Sequence, residues 1–123
     1  MTGPVSNSLA ELEALVREFA NARDWVQFHT PRNIVLALAG EVGELAALLQ
    51  WVPDDDVFQW LQLSKNRSSF EGELADVFGY LLCLADRTNV DLGAVLKTKL
   101  LLNESRYPQE KSRGSSEKYT KYE

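Results

Sequence analysis

The chain has 123 residues, 45% of them hydrophobic and 25% charged, with a formal net charge of −5. That length supports one domain with a real core and is short for two, and the composition is that of a folded rather than a disordered chain. The acidic balance argues against non-specific binding to nucleic acid or anionic membranes, but not against a nucleotide, because a bound divalent cation inverts the local field.

The opening MTGPVSNS lacks a basic region followed by an apolar stretch, so no signal peptide is expected and the chain reads as cytoplasmic. Ser8 with Glu11 forms a capping box, and Leu9, Leu12, Leu15, Val16 and Phe19 follow at helical spacing. These predict a first helix over about 9–23, apolar on one side. Thr30 before Pro31 reads as the N-cap and first residue of a second helix, continuing to about Gln50. Gly40 and Gly43 lie inside it, where glycine costs roughly 1 kcal/mol against alanine. Either close helix packing or room for a ligand would account for them. The apolar run 34–49 is too short and too acidic to span a bilayer.

Val52 to Arg67 reads as a connection holding one short helix, VFQWLQL. Ser68 and Glu71 form a second capping box and predict a third helix from there to about Arg87, interrupted by Gly79. Asp91 caps a fourth helix over about 92–106, which Tyr107-Pro108 stops. Beyond it the chain is polar, and 109–123 is expected to be mobile or packed on a neighbouring subunit. No stretch alternates with strand period. An all-α fold follows, a four-helix bundle in 1–108. Helices two and three are apolar over more than one face, which a bundle this small cannot bury alone, so a homo-oligomer is expected.

Within these helices stand two acidic pairs, Glu41-x-x-Glu44 and Glu73-x-x-Asp76, each placing two carboxylates on one helix face. Burying an unpaired carboxylate costs about several kcal/mol, and a divalent cation supplies the strongest counter-charge. All-oxygen ligands without His or Cys favour Mg²⁺ or Mn²⁺ over zinc. Cys83, the single cysteine, reads as a small core residue, and His29, the single histidine, as a hydrogen-bonding group rather than a metal ligand. Trp25, Trp51 and Trp60 read as core residues, although Trp25 and Trp51, at helix ends, could instead stack on a base. Lys99 and Asn103 share a face of helix four and offer donors to phosphate or sugar oxygens.

The two acidic pairs, separated by residues 45–72, resemble the motif of the MazG-like all-α nucleoside triphosphate pyrophosphohydrolases. RDWVQFHTPRN at 23–33, Lys99-x-x-x-Asn103 with RYP at 106–108, and EKSRGSSEKYT in the tail resemble the dCTP pyrophosphatase branch of that family. The likeness runs from roughly residue 9 to 121. It implies that Glu41, Glu44, Glu73 and Asp76 bind Mg²⁺ and that one carboxylate positions or deprotonates the attacking water; which one is left open. It implies hydrolysis between the α and β phosphates of dCTP or a modified dCTP, serving nucleotide-pool sanitation. Trp25 and Trp51 would line the base pocket, with His29 capping or hydrogen-bonding near its mouth, Tyr80 would lie near the sugar or phosphates, and Lys99 and Asn103 would meet the substrate. The branch is tetrameric, a pair of dimers; from the acidic charge, no nucleic-acid or membrane partner is expected. Val16 stands where animal members carry a histidine that touches the base, which leaves base preference open. The alternative is a non-catalytic nucleotide- and metal-binding protein on the same scaffold.

Overall fold

The computed structural model describes residues 7–122; the N-terminal stretch read above for a signal peptide falls largely outside them. Every regular element among the described residues is helical: α1 (Leu9–Ala22), α2 (Pro31–Leu49), α3 (Val57–Leu61), α4 (Ser64–Thr88), α5 (Leu92–Arg106) and α6 (Gln109–Ser112), with short 3₁₀ turns between or after them. The chain divides into two units, one up to Asn89 and one from Val90 onward.

In the first unit α4 packs mainly on α2 and also on α1 and α3. Ala20 of α1, Ile34 of α2 and Leu82, Cys83 and Ala85 of α4 form its buried centre. The expected caps are present: Ser8 Oγ accepts from the Glu11 amide at 3.3 Å, and Thr30 Oγ1 from the Asn33 amide at 3.2 Å with Pro31 at the first helical position. An ion pair ties α1 to α4, with Arg17 Nη2 2.7 Å from Asp86 Oδ1. It holds the Asp86 carboxyl below its ordinary range, chiefly through the hydrogen bond from Arg17. α4 ends at Asn89, whose φ of 56° is left-handed, a conformation asparagine tolerates.

One boundary differs from the sequence reading. α4 begins at Ser64, so Ser68 and Glu71 lie inside it and form no capping box. Glu71 accepts instead from Arg67 Nε at 2.9 Å, one turn back, and Asn66 Nδ2 donates to the Trp60 carbonyl at 3.0 Å. These side-chain bonds, with Lys65 and Arg67 as good helix formers, carry the helix one turn further upstream.

The second unit holds α5 and the tail. Asp91 Oδ1 accepts from the Ala94 amide at 3.0 Å, the expected cap, and Tyr107 ends α5. The tail returns on that end: Arg106 lies over the Tyr119 ring at 4.6 Å, Tyr107 meets Tyr119 edge-on at 5.9 Å, and Ser112 Oγ donates to the Pro108 carbonyl at 2.7 Å. Much apolar surface stays open in both units, including Val35, Leu36 and Val42 on α2 and Leu96, Leu100 and Leu101 on α5. Among the described residues no single helix is long and apolar enough to cross a membrane.

Candidate active site

α2 and α4 bring together what the sequence keeps apart. One carboxylate oxygen each from Glu41, Glu73 and Asp76 lies within 4.8 Å of the others. The three-residue spacing of Glu73 and Asp76 puts both on the side of α4 that meets α2. Oε2 of Glu41 and Oε2 of Glu73 are buried and have no hydrogen-bond partner. Buried anionic oxygens left unpaired among like charges are unfavourable. The strain shows at Glu73: burial first, then the Glu41 and Glu44 carboxylates, push it up to about 7. A divalent cation relieves both defects at once, and an all-oxygen set suits a hard one. Glu44 stands outside the three converging oxygens, although its charge still acts on Glu73.

Gly40 and Gly43 flank Glu41. A Cβ at either would meet nothing within 4 Å, so packing inside the chain does not explain them.

A cavity of about 450 Å³ opens beside this cluster, and Asp76 is part of its wall. Trp25, His29, Tyr80, Gly79 and Cys83 line it too. The way α1 ends puts Trp25 there. Asp24 takes a left-handed φ of 55°, the Trp25 amide donates to the Ala20 carbonyl at 3.0 Å and the Asp24 amide to the Asn21 carbonyl at 3.1 Å. This is a Schellman stop, and its usual apolar contact is the edge-on pair of Phe19 and Trp25 at 5.7 Å. His29 is fixed at both ends of its backbone: its amide donates to the Val26 carbonyl at 3.0 Å, and its carbonyl accepts from Arg87 Nε at 3.1 Å. Its Nδ1 lies 3.5 Å from Cys83 Sγ. Burial, then the nearby Asp86 charge, raises the Cys83 thiol, so it stays an S–H in contact with the ring.

Of the residues singled out in the sequence, Glu41, Glu73 and Asp76 converge, and Trp25, His29 and Tyr80 share the adjoining cavity. Trp51 does not join them. It is 87% exposed and lines a separate depression of about 560 Å³ with Pro53 and Trp60. Lys99 and Asn103 belong to the second unit, on one face of α5, with Lys99 exposed and Asn103 half-buried. The sequence reading missed Cys83, Leu15 and Phe19 as cavity residues. Cys83 follows Gly79 and Asp76 at helical spacing, the signal that would have found it. Leu15 and Phe19 lie on the apolar side of α1, and apolar spacing does not distinguish a core from a cavity wall.

A sequence model of the MazG-like family matches residues 37–121, which carry all four acidic positions. The chain belongs to the MazG-like family. Within it, the chain falls in the dCTP pyrophosphatase branch. It is 47% identical over 123 residues to dCTP pyrophosphatase 1 of Bos taurus, covering 97% of this chain and 73% of that protein. It is 48% identical over 122 residues to dCTP pyrophosphatase 1 of Rattus norvegicus, covering 96% and 72%. Among solved structures it is similar to the crystal structure of a pyrophosphatase from Archaeoglobus fulgidus, with a TM-score of 0.77 and 33% identity, over 88% of this chain and 99% of that one. The MazG-like resemblance seen in the acidic pairs thus extends to the whole helical fold.

Proposed function

We infer that this MazG-like chain is a nucleoside triphosphate pyrophosphohydrolase acting on dCTP, releasing dCMP and pyrophosphate. The observation that carries the reading is the convergence of Glu41, Glu73 and Asp76, two of them with buried, unpartnered oxygens, at the wall of an apolar cavity that a base can enter. Glu41, Glu73 and Asp76 hold the cation, which we take to be Mg²⁺, with Mn²⁺ able to replace it. When bound, the cation neutralises charge on the phosphate oxygens and orients the triphosphate. Glu44, the carboxylate left out of the converging oxygens, holds the attacking water and takes its proton. The water oxygen forms a bond to the α-phosphorus, and the bond to the α–β bridging oxygen breaks. Trp25 stacks on the base, His29 and Tyr80 offer hydrogen bonds at the cavity wall, and Lys99 and Asn103 donate to phosphate or sugar oxygens.

The functional unit proposed is a catalytic four-helix bundle over 1–108 with the tail packed on a neighbouring copy, assembled as a tetramer. The open apolar residues of α2 and α5 support that assembly. Trp51, too exposed to serve its own cavity, is then free to reach that of a second copy. A cytoplasmic enzyme cleansing the nucleotide pool, with no nucleic-acid or membrane partner, agrees with the acidic charge.

The deciding experiment incubates the protein with Mg²⁺ and each common dNTP and NTP, resolves the products by chromatography, and runs Glu41→Gln beside it. dCMP and pyrophosphate, absent with the variant, is the expected result. Mg²⁺-dependent nucleotide binding without turnover would instead make this a binding protein on an enzyme's scaffold.

A further inference from the structure

We propose that Cys83 is a positioning residue for His29: its thiol donates to Nδ1 of the ring, which fixes the imidazole as the Nε2–H tautomer and gives the neighbouring cavity one oriented donor. That this donor meets a nucleotide rests on the function proposed above; the tautomer itself does not.

The two residues are the chain's single cysteine and single histidine, and α4 holds His29 at two points. Arg87 Nε donates to the His29 carbonyl at 3.1 Å, and one turn earlier Cys83 Sγ lies 3.5 Å from Nδ1. Positions 83 and 87 share a face of the helix, so one rigid element sets both the backbone and the ring. Both His29 and Cys83 border the cavity of about 450 Å³, and both also border a second crevice of about 120 Å³. Of that crevice's charged residues, Arg17 pairs with Asp86, and Arg87 holds the carbonyl. Among the described residues the ring's one hydrogen-bond contact is the one at Nδ1.

A neutral imidazole carries its hydrogen on one nitrogen, and the bond made at the other decides which. Burial, then the Asp86 charge, raises the Cys83 thiol, so the sulfur keeps a hydrogen as well. Two arrangements fit the contact. If Nδ1–H donated to sulfur, the thiol hydrogen would be left over on a side chain only 7% exposed, and Sγ has no second partner among the described residues. If S–H donates to Nδ1, that hydrogen is satisfied. The spare donor is then Nε2–H, on a half-buried ring at a cavity wall, where water or a ligand can take it. A donor stranded in the core costs more than one that can reach water, so the second arrangement is the stable one. The cavity has few other polar side chains, so a fixed N–H there does much to orient whatever binds.

The test is nitrogen NMR on ¹⁵N-labelled protein at about pH 8, above the ordinary imidazole range. A single histidine needs no assignment, and its two ring signals tell a protonated nitrogen from a lone-pair one. The unaltered chain is compared with Cys83→Ser, which keeps a hydroxyl donor, and with Cys83→Ala and Cys83→Val, which keep none. The expected result is hydrogen on Nε2 alone in the unaltered chain and in Cys83→Ser, and a mixture of tautomers in the two apolar variants. Thermal melts check folding, and either apolar variant suffices. Adding α,β-methylene-dCTP with Mg²⁺ should shift the Nε2 signal of the unaltered chain more than that of Nδ1. In turnover of dCTP the apolar variants should raise KM about two- to tenfold, the scale of one neutral hydrogen bond, with little change in kcat, and Cys83→Ser should restore it. Hydrogen on Nδ1 in the unaltered chain overturns the proposal. So does the same single tautomer in the apolar variants, a rise in KM that Cys83→Ser does not rescue, or an Nε2 signal indifferent to the bound analogue. If the unaltered chain neither binds nor turns over nucleotide, the pyrophosphohydrolase reading fails by itself, and the tautomers of the four proteins still decide the role of Cys83.

Discussion

Along α4, Glu73 and Asp76 meet a carboxylate of α2, whereas Gly79 and Cys83, one and two turns further on, border an apolar cavity walled by α1. The first region is a collection of like charges with buried oxygens left unsatisfied. The second is satisfied within the chain: its histidine is bonded at Nδ1, at its amide and at its carbonyl, and its tryptophan is held by a helix stop. One region leaves buried oxygens without partners, the other is complete but empty of side chain at Gly79. On the function proposed above, a single helix separates the groups assigned to phosphate from those assigned to the base, with Asp76 common to both.

The largest expected effect comes from breaking the charged region. Glu41→Gln removes the charge of a proposed cation ligand and with it several kcal/mol of transition-state stabilisation, an expected loss on the order of a thousandfold in kcat for every nucleotide alike. Glu44→Gln should lower kcat by about 10²–10⁴-fold, the range for loss of a general base, while the Mg²⁺ affinity measured by titration falls much less than in Glu41→Gln. In the apolar region, Trp25→Ala should raise KM by about ten- to a hundredfold through lost stacking of about 1–3 kcal/mol, with a smaller change in kcat. A Trp25→Ala protein that lost kcat and kept KM would erase the distinction between the two regions.

pH sharpens the comparison further. Glu73 is pushed from 4.5 to about 7 on folding, so between those values the folded chain holds more protons than the unfolded one. Stability of the chelator-treated protein should therefore fall as pH rises from about 4.5 to 7 and level off above, and saturating Mg²⁺ should flatten that slope in thermal melts. Asp86 has the opposite sign. Its folded value lies below 3.8, so the Arg17 pair stabilises above that value and is lost as pH falls through the lowered one. Asp86→Asn should give the smallest effect of the set, a slight drop in melting temperature at neutral pH that vanishes in strong acid, because a half-exposed ion pair is worth little.

Much of this was legible in the sequence because local rules carry it. Ser8, Thr30-Pro31 and Asp91 mark helix starts through bonds made within three residues, and the acidic pairs declare a shared face by their spacing alone. What was not legible depends on longer range or on competition. Ser68-x-x-Glu71 has the pattern of a cap, yet upstream residues continue the helix and Glu71 pairs backward with Arg67. Trp25 and Trp51 look alike as helix-end tryptophans, but a left-handed Asp24 turns one into a cavity while the other stays 87% exposed. Gly40, Gly43 and Gly79 could not be told apart by spacing; only the surrounding space shows which of them borders the cavity.

Cys83 is the chain's single cysteine and is only 7% exposed, with its thiol on the cavity wall. The protein therefore carries its own chemical reporter. Alkylation by iodoacetamide, followed by mass spectrometry, has one possible cysteine product and one measurable rate, and a base seated in the cavity should slow it. Occupancy could then be read on the native chain, without a label or an engineered residue, and independently of catalysis.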